Sequence, residues 1–166
     1  MGDLLYFEQH AFRFTNALVI LDVDGTIVAD CGRDASAAVV RQVNALKAAG
    51  NEIRLCSNSR RGDYAERLRH LASQLDVGVC PVPYRKPSTQ AIAGLDRKGR
   101  EVVVIGDKDL TDGLLARRAG AHFIKVRRKL DPADRVSSRW ANLIDTVFGP
   151  PAMFLWDALS ALSVRL

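Results

Sequence analysis

Two aspartates two positions apart, Asp22 and Asp24, follow the apolar run Leu18-Val19-Ile20-Leu21 and precede Gly25-Thr26. The run reads as a buried strand. Strand side chains alternate faces, so residues two apart share a side, and the glycine turns the chain where both acids project from the strand tip. A carboxylate pair at the carboxyl end of a central strand can hold a hard cation and leave one oxygen to attack phosphorus. The same residues would also suit a solvated turn closed by Asp side chains, so the rest of the chain has to decide.

Three further segments agree with the chemical reading. Ser57-Asn58-Ser59 follows a second apolar segment, Arg85-Lys86-Pro87 precedes a helical pattern, and Gly106-Asp107, with Asp112 five positions later, follows a fourth apolar run. Together they are the parts of a phosphoryl-transfer site. A Mg2+ ion held by Asp22, Asp24, Asp107 and Asp112 would neutralise charge on a phosphate monoester. Asp22 would attack in line, and Asp24 would protonate the leaving oxygen and later activate water. Ser57 would donate to the transferring phosphoryl group, and Lys86 would hold nucleophile and phosphate together. Gly25, Thr26 and Asn58 complete the expected phosphate-binding set, with Arg60 and Arg61 at the rim to attract an anion. Taken singly, Ser57, Asn58, Asp107 and Asp112 would serve equally as helix caps or first-turn acids, Lys86 as a solvated loop residue and Thr26 as turn filler. The ordered set, each after an apolar strand, is the stronger pattern.

These residues need a scaffold, and the sequence alternates strand and helix patterns. Helices are expected over Ala35–Ala48, capped by Asp34 and ended by Gly50, over Asp63–Leu75, after Pro87, and over Thr111–Ala119. Strands are expected at Ile53–Cys56, Val77–Val82, Val102–Ile105 and His122–Val126. This alternation predicts an α/β protein with a Rossmann-like, doubly wound parallel sheet in three α/β/α layers. Ligands in such sheets sit beyond the carboxyl ends of the strands, where every candidate residue falls. One domain is expected, with a core at about 17–127 and a helical extension at about 133–166. In that extension Ala133–Phe148 should turn Val136, Trp140, Leu143, Ile144 and Val147 inward. Gly149-Pro150-Pro151 should break the chain, and Met153–Leu166 should form a last helix.

Bulk properties narrow the class. The chain has 166 residues, 48% of them hydrophobic, which suits one domain with a real core. No apolar stretch reaches the ~20 residues of a spanning helix, and the N-terminus does not resemble a secretory signal. A cytoplasmic protein is therefore expected. Three cysteines, Cys31, Cys56 and Cys80, lack the spacing of a disulfide framework or zinc site. The formal charge of +5 favours anionic partners without the long basic runs of an obligate nucleic-acid binder. A homo-oligomer and peripheral membrane contact through the last helix are both open readings of the apolar ends.

From Leu18 to Val126 the sequence resembles the haloacid dehalogenase superfamily. Asp22-Val23-Asp24-Gly25-Thr26 matches its first motif, Ser57 its second, Lys86 its third, and Gly106-Asp107 through Asp112 its fourth. The resemblance implies a Rossmann-like core, Mg2+ dependence and an aspartyl-phosphate intermediate. Asp24 resembles the phosphatase branch. Asp22 and Ser57 lie 35 positions apart and Ser57 and Lys86 lie 29 apart, which leaves no room for a cap domain. Capless members tend to take large substrates or to borrow a neighbouring subunit as a lid. Among them the motifs are similar to the YqeG-like branch, which includes phosphatidylglycerophosphate phosphatases. Three readings follow: a phosphomonoesterase of unassigned substrate, a lipid phosphatase at a membrane surface, or a non-catalytic binding or scaffold protein.

Overall fold

Five parallel strands, in the order β3-β2-β1-β4-β5, form the centre of the molecule. They are β1 (Leu18–Leu21), β2 (Glu52–Leu55), β3 (Gly78–Val79), β4 (Val102–Gly106) and β5 (His122–Lys125). The computed structural model describes residues 4–30, 32–58, 63–81, 84–132, 134 and 136–163, with side chains to 160. Helices α1 (Ala37–Ala48), α2 (Tyr64–Leu75), α3 (Gln90–Ala93), α4 (Leu114–Ala119) and α5 (Val136–Ser163) complete it, with a 3-10 turn at Phe7–Gln9 and a π-helical turn at Asp109–Gly113.

The alternation of β1 creates two cores. Val19 and Leu21 face one side, where Phe7, Val39, Val43 and Leu71 pack from the N-terminal turn, α1 and α2. Leu18 and Ile20 face the other, against Ile92 of α3 and Leu115 of α4. The expected three layers are therefore present. Winding runs outward from β1 to β2 and β3, then returns to β4 on the far side of β1. The topological switch point, where such sheets bind ligands, lies between β1 and β4. Leu21 pairs with Ile105 there, and the Asp22 N–H donates to the Ile105 carbonyl at 2.9 Å.

Local departures from the sequence expectations have local causes. Ser36, not Asp34, caps α1 by accepting from the Val39 N–H, while Asp34 pairs with His70 instead. β3 has only two residues. The segment after Pro87 enters a helix only at Gln90, while Asn58 clamps the Lys86 backbone from both sides. Cys56 and Cys80 are buried and free, and Cys31 lies outside the described residues.

The largest correction concerns the C-terminal extension. One helix of 28 residues replaces two, and Pro150 and Pro151 sit inside it. Interior proline normally breaks a helix. Contacts on both sides of the pair hold the halves in line: Gly149 lies so close that a Cβ would meet the Asp109 side chain at 2.8 Å, and Met153 seats against Gly113. The face expected to turn inward is outward, with Trp140 62% and Leu143 53% exposed. Asp145 is buried in its place and accepts the Asp109 and Leu110 N–H groups at 3.1 and 2.7 Å, capping the π-helical turn from α5. Asp145→Ala would orphan both donors and is expected to cost about 2–3 kcal/mol, a fall of roughly 5–10 °C in Tm for a chain of this size. Thermal melts of the two proteins check this, and coincident curves would refute the anchoring role. Among the described residues no helix is long and apolar enough to cross a membrane.

Candidate functional site

Each strand that ends at the switch point delivers a carboxylate. Asp22 leaves β1 and Asp107 leaves β4, while Asp112 returns on the π-helical turn. All three are buried, and one oxygen from each lies within 4.8 Å of the others. Such turns recur at functional sites because they re-aim side chains within a helix. Gly106 makes the return feasible, since any Cβ there would collide with the Asp112 carboxyl. Gly25 has φ +89°, and a Cβ on it would lie 2.6 Å from Asp107 Oδ2. Both positions therefore need glycine, Gly25 for conformation as well as space.

Lys86 stands among these acids. Its Nζ donates to Asp22 Oδ1 at 2.5 Å and to Asp112 Oδ1 at 2.6 Å, and its side chain is 2% exposed. Burial by itself would push the Asp22 carboxyl up, but the Lys86 and Lys108 charges outweigh it and hold Asp22 below the usual range. Burial would likewise push the Lys86 ammonium down, and Asp112 and Asp22 reverse that strongly. Asp112 is raised by burial despite Lys86. Asp107 is pushed up to about 7, by burial first and then by the Asp22 charge, against Lys108 and Arg128. Lys108 Nζ lies 3.2 Å from the Asp107 carboxyl oxygens, and the Arg128 guanidinium donates to Oδ2 at 2.5 Å.

Asp24 lies apart from the three clustered carboxylates. Its carboxyl accepts from Ser57 Oγ at 3.0 Å and from Arg67 at 2.7 Å, with Tyr64 Oη at 3.5 Å. Arg67 is buried on α2 and also donates to the Gly32 carbonyl at 2.6 Å. Helical spacing marks Tyr64 and Leu68 as one face, but it does not predict that an arginine beside them turns into the site. Three residues expected to bind phosphate also make internal contacts at the site. Thr26 is fully buried and donates to Asp22 Oδ2 at 2.9 Å. The Gly25 N–H closes its own turn on the Val28 carbonyl. Asn58 spends its amide on Lys86, accepting its N–H at 2.8 Å and donating to its carbonyl at 2.9 Å. All three thus shape the site by holding its backbone or its acids. Arg60 and Arg61 lie outside the described residues.

An open polar cleft of about 520 Å3 covers this arrangement, lined by Asp22, Asp24, Ser57, Asn58, Lys86 and Lys108 on one side. Asp30, Arg85, Thr111, Arg128 and α5, through Ser137, Ser138 and Ala141, line the rest. Three close carboxylates supply hard oxygen donors of the kind a divalent cation prefers, so these residues fit such an ion. Such an ion needs Asp107 ionised, and below about pH 7 it must first displace a proton. The raised value also means that Asp107 contributes stability that is present below its ordinary range and is lost as pH rises to about 7. A saturating cation, near 100 times its Kd, would stabilise by about 2.7 kcal/mol, or roughly 5–10 °C in Tm. The rise in Tm on adding a divalent cation, probed with Mg2+, is therefore expected to be larger at about pH 8 than at about pH 5.5. Melts with and without Mg2+ at the two pH values test this, and an equal or absent shift would contradict it.

A family model for haloacid dehalogenase-like hydrolases matches residues 19–118. No curated protein matches the sequence. Among solved structures, chains from a Pnkp1/Rnl/Hen1 complex and from a Pnkp1/Rnl/Hen1 RNA repair complex resemble this one at 20% identity and a TM-score of 0.51. The matches cover 68% and 76% of this chain but 46% of each of those chains, so it spans about half their length. At that identity the likeness is one of fold.

Proposed function

Because this chain belongs to the haloacid dehalogenase-like hydrolases, we propose that it is a Mg2+-dependent phosphomonoesterase working through an aspartyl phosphate on Asp22. The observation that carries this reading is the Lys86 bridge, which keeps Asp22 anionic inside a buried acidic cluster. A nucleophile that is ionised at neutral pH yet shielded from water has the properties this chemistry needs.

In this reading an Asp22 oxygen attacks phosphorus while the bond to the leaving oxygen breaks. Asp24 gives that oxygen its proton, then takes one from the water that hydrolyses the acyl phosphate, returning Asp22 and inorganic phosphate. Arg67, Tyr64 and Ser57 hold the Asp24 carboxyl by hydrogen bonds, and Asp24 and Ser57 both line the cleft. Mg2+ held by Asp22, Asp107 and Asp112 would supply charge neutralisation on the phosphoryl oxygens. The catalytic part assigned to Asp24 needs no metal contact from its carboxyl, which lies outside the cluster of Asp22, Asp107 and Asp112.

The cleft is open, and Arg85, Lys108 and Arg128 line it. These features support a phosphate carried on a larger anionic body. A phosphorylated oligonucleotide end belongs among the candidates, given the RNA repair assemblies that contain similar chains. A phosphate-release screen over nucleotides, oligonucleotide ends, phosphosugars, phosphopeptides and lipid phosphates, with Mg2+, tests the class. Asp24→Asn is expected to reduce turnover of the best substrate by on the order of 10²–10⁴-fold, the usual contribution of a positioned acid–base group. Full activity in that variant would remove the acid–base assignment. A catalytically silent protein would remove the enzyme reading and leave the binding or scaffold alternative.

A further inference from the structure

We propose that the outward face of α5 is the seam of a homodimer, in which α5 of one protomer packs along α5 of a second copy. The helix is amphipathic in the inverted sense. Apart from Met153, which seats against Gly113, the groups that fix its inward side are polar or small: Ser138 Oγ donates to Asp30 at 2.7 Å, Asp145 caps the π-helical turn, and Gly149 fits against Asp109. Its outward side carries the large apolar groups. Trp140, Leu143, Val147 and Phe154 are 62%, 53%, 53% and 73% exposed. Their spacings of three, four and seven keep them on one side of a helix.

The amount of surface favours a copy of the chain. Nine large hydrophobic side chains of α5 are exposed among the described residues. At roughly 100 Å2 each they offer on the order of 900 Å2, beyond the ~300–600 Å2 of a typical monomer's largest apolar patch. A standard stable interface removes about 800 Å2 from each partner.

Charge points the same way. Asp145 faces inward, Asp157 is bound by Arg117 at 2.7 and 2.8 Å, and Arg139 donates to the Pro132 carbonyl. Among the described residues the carboxylates of α5 are therefore turned inward or ion-paired and do not repel a second copy across the seam. The apolar arc also lacks the basic belt by which interfacial helices engage anionic lipid. The seam begins within a turn of Ser137, Ser138 and Ala141, which line the cleft, so the second copy would stand beside the mouth of the site.

Sedimentation equilibrium on the full chain at about 50 µM tests the proposal, reading mass independently of any activity. Twice the chain mass is expected for the natural sequence. The single-chain mass, a twofold drop, is expected for Leu143→Asp combined with Val147→Asp, with an unchanged far-ultraviolet circular dichroism spectrum. Both residues are exposed in the protomer, so the charges should not disturb its core. Should that variant lose its spectrum, Phe154→Lys in the far half of the helix provides the same reading. A natural chain that remains single overturns the proposal, whether or not it floats with phosphatidylglycerol vesicles. A folded variant that stays double overturns it as well.

Discussion

Asp22→Asn is expected to lower Mg2+-dependent phosphate release by on the order of 10⁵-fold while leaving a folded protein. Removing the nucleophile of a covalent mechanism costs about this much, because no other group can form the intermediate. The fold should survive because Asp22 is one of two acids on Lys86, and Asp112 keeps the ammonium paired at 2.6 Å. Thr26 can donate to the new amide oxygen as it does to the carboxylate, at 2.9 Å in the natural chain. Rate measurements on the best substrate, with circular dichroism as the folding control, decide the matter. A variant retaining a tenth of the natural rate would show that Asp22 is not the attacking group. An acid-quenched natural enzyme should also retain phosphate covalently, and Asp22→Asn should retain none.

Lys86→Met is expected to damage both stability and activity. The ammonium is the internal counter-ion of two carboxylates whose side chains are 7% and 1% exposed. Its loss leaves Asp22 and Asp112 buried close to Asp107 without it. Removing one partner of a buried pair costs about 3–5 kcal/mol, equivalent to a fall of roughly 6–20 °C in Tm. Turnover should drop by at least about 10³-fold, the scale of losing a preorganised electrostatic group.

The pH dependence of that variant has a definite sign. In the natural chain Asp22 is held low, so its contribution to stability is present above its ordinary range and lost on acidification. Without Lys86, burial dominates and raises Asp22 and Asp112. The variant should therefore lose stability as pH rises toward neutral, and Asp112→Asn added to Lys86→Met should restore part of it. A Lys86→Met protein melting within about 2 °C of the natural chain, by the same scaling, would mean that the bridge contributes little to the fold.

The contrast between residues that sequence reasoning located and residues it missed follows from range. Asp22 and Asp107 are legible because each directly follows a four- or five-residue apolar strand, and the α/β alternation places such strand ends together. Lys86 is legible as a basic residue in a loop at the right point in the order. Its bridging of two acids depends on β1 and the π-helical turn meeting. Arg67 and Arg128 read as ordinary surface charges in the sequence, and their pairing with Asp24 and Asp107 joins positions 43 and 21 apart. Thr26 and Asn58 were legible as polar residues at the site, but whether each faces ligand or backbone is a matter of side-chain direction.

The α5 helix shows the limit most sharply. Periodicity correctly groups Trp140, Leu143 and Val147 on one face, yet periodicity has no sign: it cannot say which face meets the core. Here buried Asp145 and close-fitting Gly149 decide, by capping and contacting the π-helical turn. The prolines, local helix breakers, are overridden by packing on either side of them.

What the chain's own residues determined was the class of fold and the four places where chemistry-bearing groups leave it, because strand and helix periods and glycine turns act over a few positions. Only the tertiary structure decided which of those groups touch, which are spent on holding others, and which way the last helix faces. Those outcomes depend on burial and charge between segments far apart in the chain, where no local pattern carries the information.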